Sequence, residues 1–120
     1  MDSEVIAGKI LYAIKNGART FKDLELRTKL ATNTITKYTY ELAREGLLFF
    51  KSNRDRRKVI YELNESRIDE INKLIEAYLE YKKKELKENM EFAMHYIDFT
   101  EEEKKEIAEL VEKLKKKLGV

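Results

Sequence analysis

Two short stretches of the chain carry the side chains best suited to chemistry with a polyanion. Thr32, Asn33, Thr34, Thr36, Lys37 and Tyr40 fall within one helical stretch, and all but Thr34 share the side opposite Ile35 and Leu42. Asn matches the donor and acceptor of adenine, Thr touches a thymine methyl or a phosphate, and Lys reaches guanine or the backbone. The second stretch, Lys51-Ser52-Asn53-Arg54-Asp55-Arg56-Arg57-Lys58, holds five cations and one carboxylate in eight residues. A cationic loop of this kind neutralises phosphates and gains affinity from the counterions it releases, whatever the base sequence. An Arg entering a narrow minor groove adds readout of shape. Plainer readings exist for both: polar residues solvate an exposed helix face, and Lys or Arg protect a strand edge from pairing. Four cations within residues 54–58 exceed what edge protection requires.

Other chemistry is sparse. The one histidine, His95, lies in a helical pattern between Met94 and Tyr96 and reads as a packing or surface residue. Glu101, Glu102 and Glu103 stand where a first helical turn favours acids, not as an acid–base pair. With no cysteine, disulfides, thiolate zinc sites and cysteine nucleophiles are excluded. The chain carries no glycine-rich phosphate loop, metal-ligand spacing or nucleophile elbow. The expectation is a protein without enzymatic activity, metal or cofactor. A small-molecule effector stays an open question: Tyr78, Tyr81, Phe92 and Tyr96 could line a ligand cavity, but aromatics at helical spacing more often form a core or a dimer interface.

Net charge is only +2, yet residues 1–64 carry 13 Lys/Arg against 8 Asp/Glu, while residues 65–120 carry 12 against 15. A basic front and an acidic back imply that one half faces the polyanion. No run of 18 apolar residues suggests a membrane span. The opening MDSEVIAGKI lacks the basic and apolar regions of a signal peptide, so a cytoplasmic, nucleoid-associated protein is expected. Lys and Glu supply 36 of the 120 residues. This composition resembles hyperthermophile (archaeal-like) proteins, in which ion pairs cost less to desolvate; a helix-rich mesophilic protein looks similar.

The elements that must position these residues follow from hydrophobic period and capping signals. Ile6, Ile10, Leu11 and Ile14 predict a first helix from about Glu4 to Asn16, closed by Gly17. Thr20 with Asp23 forms a capping box for a short second helix ending near Lys29, with Phe21, Leu24 and Leu26 as its apolar positions. Thr32 or Asn33 then caps a third helix running to about Glu45, where Gly46 stops it. Leu47–Phe50 and Val59–Tyr61 are rich in β-formers and predict a hairpin whose tip is the cationic stretch. Asn64 or Ser66 opens a helical pattern of about 30 residues, about 45 Å long at helical rise. Asp98-Phe99 interrupts it, and Thr100 with Glu103 caps a last helix.

Three helices followed by a hairpin is the order of a winged helix-turn-helix, whose third helix enters the major groove while the hairpin lies on the backbone or minor groove. Phe21-Lys22-Asp23-Leu24, Leu30 through Lys37, and Leu42-Ala43-Arg44-Glu45-Gly46-Leu47 resemble the helix-turn-helix of prokaryotic winged-helix regulators. Asp55-Arg56-Arg57-Lys58-Val59-Ile60-Tyr61-Glu62-Leu63 is similar to the wing of the MarR-type group, in which Asp-x-Arg precedes a strand. Residues Phe99–Leu118 resemble that group's terminal dimerisation helix. The resemblance implies that Asp55 orients Arg57 and that Arg57 is the minor-groove arginine. It departs in one respect: that group has a further dimerisation helix ahead of the helix-turn-helix, whereas here the first helix begins almost at once. In outline the chain is also similar to small archaeal chromatin proteins, which join a winged helix to a long coiled-coil helix.

The expected architecture is thus mainly α with a small β-hairpin: a winged helix-turn-helix over residues 1–64 and a helical dimerisation region over residues 65–120. Ile68, Ile71, Ile75, Tyr78, Leu79, Leu86, Met90 and Ile97 line the long helix, and Ile107, Leu110, Leu114 and Leu118 line the last. At roughly 1.5–3 kcal/mol each, exposing a dozen such side chains forfeits on the order of 20 kcal/mol, more than a domain's net stability. A partner chain is therefore expected to cover them, although a self-contained helical hairpin is the alternative. The function implied is a homodimeric, double-stranded-DNA-binding transcriptional regulator, with a repressor as the leading form. An architectural chromatin protein and a winged-helix protein-interaction module are the other readings.

Overall fold

The computed structural model describes residues 1–52, 58–96 and 98–119. Helix α1 spans Ser3–Lys15, α2 Phe21–Thr28 and α3 Thr32–Arg44; strands β1 (Leu48–Ser52) and β2 (Val59–Leu63) follow, then a short 3₁₀ turn, α4 (Ile68–Tyr96) and α5 (Glu101–Leu118). The expected mainly-α architecture with a single hairpin is what forms.

Local signals account for most boundaries. Asp2 caps α1 by accepting from the Val5 amide at 3.0 Å. The Thr20 hydroxyl accepts from the Asp23 amide while Asp23 accepts from the Arg19 and Thr20 amides, a complete capping box. Thr100 and Glu103 repeat that box at α5. Gly17 and Gly46 have φ of +110° and +80°, conformations in which a side chain is strained. Asn64 accepts from the Ser66 amide and donates to the Gly46 carbonyl at 2.7 Å, joining the end of the hairpin to the end of α3.

Three expectations fail for identifiable reasons. Neither Thr32 nor Asn33 caps α3; Ala31 holds the cap position without a side-chain bond. Lys29 turns the chain through a left-handed conformation (φ 59°), so Ala31 is already extended and its carbonyl receives the Ile35 amide. The Thr32 hydroxyl sits 3.4 Å from Glu25 Oε2 instead. Leu26 is exposed, since two turns of helix leave room for only one buried stripe, taken by Leu24 and Thr28. Leu47 precedes the strand and is buried in the turn, where its amide donates to the Leu42 carbonyl.

The chain forms two compact units, Met1–Leu79 and Glu80–Val120. The first closes around Ile10, Leu11, Ile14, Leu24, Ile35 and Leu48, together with Ile71 and Ile75 from the opening of α4. The first unit runs to residue 79 because those isoleucines help seal the three-helix head. α1 and α4 meet backbone to backbone at Gly8, where an added Cβ would stand 2.0 Å from the Leu74 carbonyl oxygen.

Candidate nucleic-acid interface

Helix α3 is divided lengthwise. Ile35, Thr39 and Leu42 are buried, while Thr32, Asn33, Thr36, Lys37 and Tyr40 are exposed together; Thr34 is half-buried. The Thr36 hydroxyl donates to the Thr32 carbonyl at 3.0 Å, and the Lys37 ammonium lies 5.7 Å from the centre of the Tyr38 ring. The first turn of α3, lacking a side-chain cap, keeps amide donors open to an anion.

Thr28 builds the turn that sets this helix. Its buried hydroxyl donates to the Leu24 carbonyl at 2.6 Å and accepts from the Leu30 amide at 3.2 Å.

The hairpin is antiparallel, with Leu48 opposite Leu63, Phe50 opposite Tyr61 and Ser52 opposite Val59. Those residues share one face because strand side chains alternate. Along that face burial falls from Leu48, which is closed in the core, to Val59, which is exposed. The Tyr61 amide donates to the Arg19 carbonyl at 2.7 Å, tying the hairpin to the loop before α2. Burial pushes the Tyr61 phenol above its ordinary pKa, against an opposing hydrogen bond with Thr39 of α3. Helix and hairpin also meet where the Tyr40 ring of α3 packs edge to face on Phe50 of β1 at 5.4 Å.

Of the expected wing residues, Lys51, Ser52 and Lys58 are exposed. Lys51 is engaged by Glu62 at 2.6 Å, an exposed ion pair of small worth. Asn53, Arg54, Arg56 and Arg57, with Asp55, lie outside the described residues.

The expected dimer residues separate into two groups. Ile71, Ile75 and Tyr78 are buried within the head, and Ile68 and Leu79 pack against its core, so one chain already covers them. The same helical stripe serves the core wherever the head lies against it. Farther along, Leu86, Leu110 and Leu114 are exposed, and Met90 and Ile107 half-buried. A hollow of about 380 Å³ lies between α4 and α5, lined by Met90, Met94, His95 and Val111 among others. Ile97 and the side chain of Leu118 lie outside the described residues. Among those described, no group of three or more side chains suits a metal ion, and no helix is long and apolar enough to cross a membrane.

No protein-family model matches the chain, and no curated protein does. Solved structures do. Lactococcus lactis ZitR, a zinc-responsive MarR family member, matches with a TM-score of 0.59 at 22% identity, over 98% of this chain and 76% of its own. A mutant of MarR from E. coli matches with a TM-score of 0.57 at 19% identity, over 90% and 74%. The fold is the winged helix of MarR-type regulators. Sso10a-2, a DNA-binding protein from Sulfolobus solfataricus, also matches, with a TM-score of 0.56 at 16% identity over 82% of this chain and all of its own. Sequence reasoning missed Arg19 as the hairpin's tether and the shared face of Phe50 and Tyr61. The two-residue alternation of β1 and β2 held the second signal; the first depends on tertiary contact.

Proposed function

We propose that this protein is a homodimeric transcriptional regulator that binds double-stranded DNA in the cytoplasm, with α3 in the major groove and the cationic hairpin on the adjoining backbone. The observation that carries the reading is the exposure of Thr32, Asn33, Thr36, Lys37 and Tyr40 on one face of α3, in a head whose hairpin packs against that helix through Phe50 and Tyr40. Side chains that read base edges and side chains that hold phosphates then act from one rigid body. Arg54, Arg56 and Arg57 join Lys58 in holding the wing to phosphates, and Arg57 is the residue proposed to enter the minor groove.

Dimerisation supplies the second half. Leu86, Leu110 and Leu114 leave apolar surface open in a two-helix unit too small to enclose a core of its own. Two linked heads gain effective concentration on half-sites about one helical turn apart. Repression by occupying such a site is the simplest outcome.

Selection from random DNA, followed by competition binding, tests the regulator reading. A selected site is expected to bind roughly a thousandfold tighter than random duplex. Sso10a-2, a DNA-binding protein, shares the fold as well, and one other reading is an architectural role without base readout. A preference of about tenfold or less would decide for that role.

A further inference from the structure

A hollow of about 160 Å³ between α3 and the hairpin adjoins one of about 390 Å³ between the start of α2 and the hairpin, and the two share Phe21, Val59 and Tyr61 as walls. Thr36, Tyr40 and Phe50 complete the smaller, and Lys22 and Lys58 flank the larger. The aromatic rings are arranged in series: Tyr40 meets Phe50 edge to face at 5.4 Å, and Phe50 meets Tyr61 at 5.5 Å. The inner members are supported, yet Tyr40 is 60% exposed and Phe50 36%.

This composition does not suit an intact duplex. Phe50 has no hydrogen-bonding group with which to read a base edge or hold a phosphate. Its exposed ring surface suits another flat apolar surface, and in paired DNA the base faces are covered by their neighbours. A base released from the stack presents such a face. The Thr36 hydroxyl, which donates to the Thr32 carbonyl, keeps lone pairs free to accept from an exocyclic amine. Lys22 and Lys58 stand ready for the flanking phosphates, and among the described residues no carboxylate lines either hollow.

Resting on the duplex-binding reading above, we propose that the hollow between α3 and the hairpin receives one unpaired nucleobase, stacked on Phe50 beside Tyr40, with Lys22 and Lys58 on its phosphates. The protein then prefers DNA containing a bulged or mismatched base over fully paired DNA. Aromatic stacking of one base supports a preference of roughly tenfold or more.

Fluorescence anisotropy at low salt compares a paired duplex, the same duplex with one bulged adenine, and a single strand. The wild-type chain is expected to bind the bulged duplex about tenfold tighter than the paired one. A 2-aminopurine placed at the bulge is expected to lose fluorescence as it stacks. Phe50→Leu keeps an apolar side chain at the site; it is expected to abolish the preference while paired-duplex affinity holds, and Phe50→Tyr to restore it. Should Phe50→Leu lose helicity by circular dichroism, the bulged-to-paired ratio of Tyr40→Leu decides, since so exposed a ring does not carry the fold. Equal affinity for bulged and paired duplexes overturns the base site and leaves the duplex reading standing. A preference that survives in folded Phe50→Leu overturns the assignment to this hollow. Absence of binding to all three oligonucleotides removes both proposals.

Discussion

The two compact units of this chain solve the problem of apolar surface in opposite ways. In Met1–Leu79, Ile10, Leu11, Ile14, Leu24, Ile35, Leu48 and Ile71 are excluded from solvent by other parts of the same unit. In Glu80–Val120 no described residue is buried, and Leu110 is 59% exposed. Both units contain well-capped amphipathic helices, so helix formation alone does not separate them. What separates them is closure: three helices, a hairpin and the opening of α4 enclose a volume, whereas two helices have only one mutual face. Capping sets where a helix starts, and enclosure decides whether it can stand without a partner.

The strongest way to break this contrast acts on the head. Gly8→Ala forces a methyl into the Leu74 carbonyl, and a cost of about 3 kcal/mol is expected, read as a fall in thermal midpoint. A midpoint close to that of wild type would show that α1 and α4 are not locked together there. The matching change in the other unit, Leu110→Asp with Leu114→Asp, is expected to leave the head's near-ultraviolet dichroism intact. It should convert dimer to monomer in sedimentation equilibrium. A persistent dimer would place the interface elsewhere.

Charge sharpens the comparison further. Replacing Arg54, Arg56 and Arg57 with Ala is expected to flatten the dependence of log affinity on log salt by about 3, at roughly 0.9 for each phosphate that is no longer neutralised. An unchanged slope would remove the wing from the binding surface. The smallest effect is acid sensitivity in the head. Amides of Arg19 and Thr20 hold the Asp23 carboxyl below its ordinary pKa. The capping box therefore stabilises fully above the unfolded carboxylate's pKa of about 4 and is lost as pH falls through the lower folded value. Asp23→Asn is expected to flatten the stability-versus-pH curve below about pH 4 while leaving its salt dependence unchanged. A curve that still matches wild type in that range would assign the acid response to other carboxylates.

The legible parts of the fold were those governed by near neighbours in sequence. Thr20 and Asp23, or Thr100 and Glu103, find each other three residues apart, and Gly17 and Gly46 stop helices through their own backbone freedom. The long helix was legible as an amphipathic stripe, but its period does not say what covers it. Ile71 and Ile75 look like Leu86 in sequence, and only the head's unfilled core tells them apart. Likewise the start of α3 depends on Lys29 adopting a left-handed turn, which no side-chain pattern announces. The face of α3 was readable because Ile35 and Leu42 fix its phase. The hollow beside it was not, because it needs the pairing of Phe50 with Tyr61 and the placement of Phe21 from another helix.

Arg67 links these levels. Its guanidinium donates to the Glu45 carbonyl at the end of α3 and pairs with Glu70 at 2.6 Å in the first turn of α4. Arg67 thus ties the end of α3 directly to the opening of α4 within the first unit, without the hairpin that separates the two helices in sequence. Arg67→Lys, which cannot hold both partners in a planar fork, uncouples the two ends. Faster hydrogen exchange over residues 42–45 in that variant is the expected sign that the end of α3 has come loose from α4.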